Sequence, residues 1–82
     1  MVKLKLIEKT EEFVKYFYYP EGEEFDAGEI IFNFKTNKVE HILFSEKEQN
    51  SPLQWYAKHA YLAVKNYAET NDFKKEDIRI WH

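Results

Sequence analysis

Apolar residues recur every three or four positions along residues 52–70, and this is the clearest periodicity in the chain. The spacing predicts one apolar stripe along a helix. The start of this helix is indicated by Ser51, Pro52 and Gln54. The serine side chain can accept a hydrogen bond from a free amide of the first turn, and proline is tolerated at the first helical position. The glutamine side chain can complete a capping box with the serine. Asn71 is a suitable left-handed residue to end the helix. The predicted stripe consists of Leu53, Tyr56, Ala57, Ala60, Tyr61, Val64, Tyr67 and Ala68.

Four stretches before this helix alternate apolar with polar residues, or are dense in aromatic and β-branched residues, as is typical of half-buried strands. They are residues 2–7, 12–19, 29–35 and 39–44. Residues 78–81 predict a short terminal strand or an extended tail. Asn37 favours a tight hairpin turn between the third and fourth strands, because asparagine tolerates a positive φ at low cost. The alternation in the fourth strand leaves open which of its faces points inward.

These elements predict an α+β fold in a single domain spanning residues 1–82. Short connections favour antiparallel neighbours. We expect a four- or five-stranded, mainly antiparallel sheet in the order β-β-β-β-α-(β), with the one long helix packed on one sheet face. The strand residues expected to meet the helix are Val2, Leu4, Leu6, Val14, Tyr16, Tyr18, Ile30, Phe32, Phe34 and Ile80.

The sheet face away from the helix is expected to be exposed and unusually apolar. Exposed apolar patches of this kind tend to be partner surfaces. Lysines interleave with the rings, so the face is also expected to be locally basic. The candidate binding residues on it are Phe13, Lys15, Phe17, Tyr19 and Trp81.

Four interpretations of this face remain open. It can self-associate to form a homodimer, or it can bind a different protein. It can bind single-stranded nucleic acid, with rings stacking on bases and lysines contacting phosphates. It can also pack only its own side chains and bind nothing. Single-strand binders usually carry a basic field, whereas this chain has a net charge of −3, so protein contact is favoured over nucleic acid.

A second stripe on the predicted helix contains Trp55, His59, Leu62 and Asn66, at positions i, i+4, i+7 and i+11. This stripe can form the rim of the core, with Trp55 packing at the sheet edge. Alternatively, Trp55 and His59 can form a contact surface, or a small-ligand or enzyme site. Both residues are therefore candidate binding residues.

No motif in the sequence indicates catalysis. The chain has no cysteine, which excludes disulfides, thiolate zinc sites and a cysteine nucleophile. His41, His59 and His82 lack the i, i+2 or i, i+4 spacing of a metal site on one element. Residues 21–29 are acidic but lack the ligand pattern of a calcium loop. We therefore expect a non-enzymatic protein with no cofactor and no metal.

The amino-terminal residues alternate charged with apolar side chains and do not form the hydrophobic run of a signal peptide. No stretch approaches the roughly 20 apolar residues of a membrane-spanning helix. We therefore expect a cytoplasmic protein without a membrane partner.

Residues 16–22, with the sequence Tyr-Phe-Tyr-Tyr-Pro-Glu-Gly, are followed by Gly28-Glu29-Ile30, and the chain closes with Ile78-Arg79-Ile80-Trp81. Together these segments resemble small uncharacterised proteins of bacteria and their mobile elements. The resemblance implies an aromatic strand ending in Pro-Glu-Gly, a tight hairpin, one long helix and a closing tryptophan strand. It implies no particular activity and no functional residue.

Overall fold

The computed structural model of the chain describes residues 1–81; His82 lies outside the described residues. Five strands form one sheet in the order β4-β3-β2-β1-β5, and every neighbouring pair is antiparallel. The predicted α+β fold and element order are confirmed in outline, with one additional short helix. The elements are β1 (Val2–Lys9), β2 (Phe13–Pro20), β3 (Gly28–Asn33), β4 (Lys38–Leu43), α1 (Glu46–Gln49), α2 (Trp55–Thr70) and β5 (Glu76–Arg79).

Helix α2 packs across one face of the sheet, called the inner face below. The chain enters α2 from one edge strand, β4, and leaves it for the other edge strand, β5. Three alanines bring the helix backbone close to the sheet, while Val64 and Tyr67 fill the remaining space. The buried core confirms most of the predicted inward residues and consists of Val2, Leu4, Val14, Tyr16, Tyr18, Ile30, Phe32, Ala57, Ala60, Ala63, Val64 and Tyr67.

The hydroxyl groups of the three fully buried tyrosines all have partners. Tyr16 donates to the carbonyl of Lys74 at 2.6 Å, and Tyr67 donates to the carboxylate of Asp77 at 2.6 Å. Tyr18 accepts a hydrogen bond from a backbone amide at 3.2 Å. Burial raises the pKa of all three phenols, so they stay protonated. These bonds let large rings fill a small core without leaving a polar atom unpaired.

Four residues that were predicted to face the core are exposed. Phe34 is 38% exposed because β3 ends at Asn33, and Ile80 is 72% exposed because it follows the last residue of β5. On the helix side, Leu53 is 50% exposed and Tyr61 is 36% exposed. Leu53 lies before the first residue of α2, and Tyr61 lies at the margin of the buried stripe.

The predicted start of α2 is wrong. The helix begins at Trp55, and Gln54, the residue before it, has a left-handed backbone with φ 48°. The amides of Tyr56 and Ala57 donate instead to the carboxylate of Glu48, at 2.8 and 3.1 Å. Glu48 lies in the preceding helix α1 and is only 2% exposed. A buried glutamate from outside the helix therefore replaces the predicted capping box.

Both asparagine turns are confirmed. Asn37 has φ 58° in the hairpin between β3 and β4, and Asn71 has φ 52° at the end of α2. In β4, Val39 pairs with Phe32 and His41 pairs with Ile30, so Val39 and His41 share the inner face. The face of the fourth strand that points inward, which the sequence left open, is therefore the one that carries Val39 and His41. None of the described helices combines the length and the apolar content needed to cross a lipid bilayer.

Candidate functional site

The face of the sheet opposite α2, called the outer face below, keeps an apolar centre. Phe13 and Phe17 on β2 and Ile31 on β3 are all partly exposed on it. Strand register places Phe17 between Lys5 and Glu29, so charged residues surround the ring on both neighbouring strands. The outer face consists of Lys3, Lys5, Glu8, Phe13, Lys15, Phe17, Tyr19, Glu29, Ile31, Asn33, Lys38, Glu40, Leu43, Glu76 and Ile78.

Three of the four lysines of this face, Lys3, Lys5 and Lys15, are paired with carboxylates. Lys15 Nζ lies 3.3 Å from Glu29, and Lys3 Nζ lies 2.8 Å from Glu24 and 3.1 Å from Glu76. The hydrogen bond from Lys3 holds the pKa of the Glu24 carboxyl below its usual value. The outer face is therefore charge-balanced, and the expected local basic character is not observed. Paired lysines make poor phosphate contacts, which argues against the nucleic-acid interpretation.

Tyr19 does not contribute an exposed ring. Its side chain is only 5% exposed, although the strand alternation places it on the outer face. The loop after β2 folds back over this end of the sheet, where Glu24 reaches Lys3 at 2.8 Å and Lys5 at 3.5 Å. Burial among these groups raises the pKa of Tyr19. Tyr19 supports the neighbouring Phe17 through an edge contact between their rings at 6.4 Å.

Trp81 lies on the helix side of the sheet rather than on the outer face. Its indole stacks on the His59 ring, with centroids 3.9 Å apart and planes 9° apart, and meets Tyr56 at 5.6 Å. Two candidates that were predicted on different surfaces, His59 and Trp81, are thus in contact. Trp55 stays 51% exposed, with Lys58 Nζ 5.2 Å from its ring centre. The indole covers one face of His59, so this stack gives no support to a ligand site there.

A groove between β4 and α2 was not predicted. Its larger part, called the first pit, has a volume of about 400 Å³ and is lined by His41, Lys58, Tyr61 and Leu62. A second pit of about 220 Å³ lies towards the β3–β4 hairpin and is lined by Phe32, Asn37, Lys65, Ala68 and Glu69. The two pits together are called the β4–α2 groove. One signal in the sequence could have indicated the groove, since Tyr61 and Leu62 are adjacent apolar residues that cannot both face one core.

His41 forms the floor of the first pit. Its ring stacks on Phe44 and Tyr61, with centroids at 5.1 and 6.1 Å. Burial lowers the pKa of His41, which favours the neutral imidazole at neutral pH. Its Nδ1 atom is buried and has no hydrogen-bond partner within residues 1–81. A neutral, stacked histidine behaves as part of an apolar wall, so the pit accepts an apolar side chain.

The described residues provide no arrangement that suggests catalysis. No three histidine, aspartate or glutamate side chains in residues 1–81 lie close enough together to hold a metal ion. Glu48 has the one buried carboxylate in the described part of the chain, and it accepts hydrogen bonds from two amides of α2 and from the hydroxyl of Ser45 at 3.3 Å. Comparisons of the chain with protein-family models, curated proteins and solved structures find no match.

Proposed function

We propose that this chain is a non-enzymatic contact domain that self-associates through its outer face, so that two copies pack sheet against sheet. The supporting observation is the apolar centre formed by Phe13, Phe17 and Ile31, on a sheet face that no helix or strand of residues 1–81 covers. Two sheets that pack face to face interdigitate such side chains and exclude water from them. In this arrangement the two α2 helices lie on the outside of a four-layered dimer.

The size of the face is consistent with a weak, reversible dimer. Strands lie about 4.8 Å apart and each residue adds about 3.3 Å, so five strands of about six residues cover roughly 480 Å². Two copies therefore bury about 1,000 Å² in total, which is near the small end of specific interfaces. We expect a dissociation constant of about 10–100 µM, so the dimer should dissociate on dilution.

The charges of the face favour a second copy over a strongly charged partner. Ion pairs link three of its lysines to three glutamates, and these six residues are Lys3, Lys5, Lys15, Glu24, Glu29 and Glu76. Like-charged surfaces repel each other, whereas a balanced surface can meet a copy of itself without that cost. A nucleic acid needs cations that are free to replace its counterions, and the pairing reduces their availability.

Sedimentation equilibrium from about 5 µM to about 1 mM protein tests this proposal. The wild-type mass should rise from one chain towards two chains over this range. Phe17→Glu places a new carboxylate beside Glu29 at the centre of the face and should keep the protein monomeric at all concentrations. Ile31→Lys provides a second disrupting variant in case the first one folds poorly, and circular dichroism checks the fold of both.

The matched control is Leu62→Glu, which adds the same charge to an exposed leucine on α2, away from the outer face. This variant should associate like the wild type. The proposal is wrong if the wild type remains a single chain at the highest concentration. It is equally wrong if Phe17→Glu and Ile31→Lys associate as strongly as the wild type.

A further inference from the structure

The first pit of the β4–α2 groove is large enough to hold a small molecule. Its volume of about 400 Å³ lies within the range of about 300–1,000 Å³ that is usual for ligand sites. A cavity of about 150 Å³ is already sufficient for benzene. The pit can therefore hold one aromatic ring together with a short substituent.

Aromatic side chains form one side of the pit. The planes of His41 and Tyr61 differ by only 25°, and those of His41 and Phe44 by 30°, so the three rings form a nearly parallel group. Tyr61 is 36% exposed and Leu62 is 56% exposed, and both lose contact with water when the pit is filled. A flat ring can extend the parallel group by offset stacking, which an aliphatic chain cannot do. The walls therefore favour an aromatic ligand.

Lys58 gives the pit a positive charge. Its Nζ atom lies 5.2 Å from the ring centre of Trp55, and no carboxylate within residues 1–81 lies within 4.0 Å of it. The side chain is exposed and flexible, so its ammonium group can turn from the indole towards a bound anion. A ligand with its own ammonium group would be repelled at this position. The charge that complements the pit is therefore negative.

Acidic residues in the neighbourhood do not cancel this charge. Glu69 lines the second pit together with Lys65, and the register of β4 turns Glu40 to the outer face. Burial lowers the pKa of His41 and the charge of Glu48 opposes this effect, but the Glu48 carboxylate is itself buried and bonded to two amides of α2. The lining of the first pit therefore contains one full charge, which is a cation.

We propose that the first pit is a binding site for a small aromatic carboxylate. The ring of the ligand lies against His41, Tyr61 and Leu62, and its carboxylate accepts a hydrogen bond from the ammonium group of Lys58. Apolar contact supplies most of the affinity, because an exposed ion pair contributes little to it. The ion pair selects the sign of the ligand's charge.

Titration of nitrogen-15-labelled protein with phenylacetate, followed by nuclear magnetic resonance, tests the proposal. The amide signals of His41 and of residues 58–62 should shift and saturate, with a dissociation constant of about 0.2–1 mM for a ligand of about ten non-hydrogen atoms. Phenylacetamide lacks the charge and cyclohexylacetate lacks the aromatic ring, so each should bind about threefold or more weakly than phenylacetate. Phenethylamine carries the opposite charge and should bind more weakly than phenylacetamide.

Three variants separate the ion pair from the apolar contact. Lys58→Gln should weaken phenylacetate binding about threefold or more and leave phenylacetamide within about twofold of its wild-type value. Lys65→Gln is the matched control, because Lys65 is also an exposed lysine of α2 but lines the second pit; it should leave phenylacetate binding within about twofold of the wild type. Leu62→Ala removes only apolar contact and should weaken both compounds by the same factor.

The proposal is overturned if phenylacetate at about 10 mM causes no saturable shift, or if the shifted signals belong to the outer face. Equal binding of phenylacetamide and phenylacetate also overturns it, because the pit would then suit an uncharged aromatic side chain of a protein partner. Equal weakening of both compounds by Lys58→Gln, or equal binding of cyclohexylacetate, has the same consequence. The outcome is independent of the outer-face dimer, since Phe17→Glu should bind phenylacetate as well as the wild type.

Discussion

Glu48 is the residue whose removal should reveal most about how this small fold is held together. Its side chain is 2% exposed and accepts hydrogen bonds from the amides of Tyr56 and Ala57 and from the hydroxyl of Ser45. The two amides belong to the first turn of α2, where no carbonyl of the helix itself is available to accept them. A carboxylate at this position also interacts favourably with the positive end of the helix dipole.

The size of the effect follows from these contacts. Glu48→Ala leaves two amides at the start of α2 without their acceptor, and a buried donor without a partner costs about 1–3 kcal/mol. Ala57 is 2% exposed, so water cannot readily replace the lost bond at its amide. We expect a loss of about 3 kcal/mol, a large part of the total of about 4–12 kcal/mol for a chain of this length. Glu48→Gln keeps one acceptor oxygen and loses the charge, so we expect about 1–2 kcal/mol.

Urea unfolding followed by circular dichroism and tryptophan fluorescence measures these changes. The matched control is Glu46→Ala, which removes an exposed glutamate from the same short helix and should change stability by less than about 0.5 kcal/mol. Ser51→Ala is the decisive comparison, because the sequence identifies Ser51 as the helix cap and the structure does not. The reasoning is refuted if Ser51→Ala costs more than Glu48→Ala, or if Glu48→Ala behaves like Glu46→Ala.

Two further substitutions test the packing and the titration of single sites. In Gly28→Ala, the added methyl group would overlap the ring of the fully buried Tyr18. We therefore expect the free energy of unfolding in urea to fall by about 2–3 kcal/mol, and a fall of less than about 0.5 kcal/mol would contradict this overlap. The pKa of His41 is lower in the folded chain than its ordinary value of 6.5, so its contribution to stability is present above pH 6.5 and is lost as the pH falls through the folded-state pKa. His41→Phe should therefore reduce the fall in the free energy of unfolding between about pH 7.5 and pH 5.5. One titrating group contributes at most about 1.4 kcal/mol per pH unit to this fall. If the free energy of unfolding depends on pH equally in the variant and the wild type, the role given to His41 is wrong.

The sequence predicts those features of the fold that depend on local pattern. Alternation places Val14, Tyr16 and Tyr18 on one side of β2, and the structure buries all three. Asn37 and Asn71 occupy left-handed positions because few other residues adopt a positive φ at so little cost. Each of these predictions depends on residues within a few positions of one another, and burial of one sheet face reinforces them.

The start of α2 could not be predicted because its cap comes from a distance. Serine and proline at the predicted start fit the common local pattern, but Glu48 precedes Tyr56 by eight residues and reaches it across an irregular turn. Capping preferences are defined only for residues next to the helix end, so they cannot identify a cap that lies further along the chain. A helix of four residues, such as α1, is also too short to produce a periodic signal.

The candidate site was only partly predictable, since alternation gives the face of a side chain and not what covers that face. Tyr19 follows the alternation of β2, yet the loop containing Glu24 folds over it. Tyr61 fits the helical stripe, yet it borders an open groove because α2 does not cover β4 completely. The tertiary placement of loops and of the helix decides both cases, and no short-range pattern encodes it.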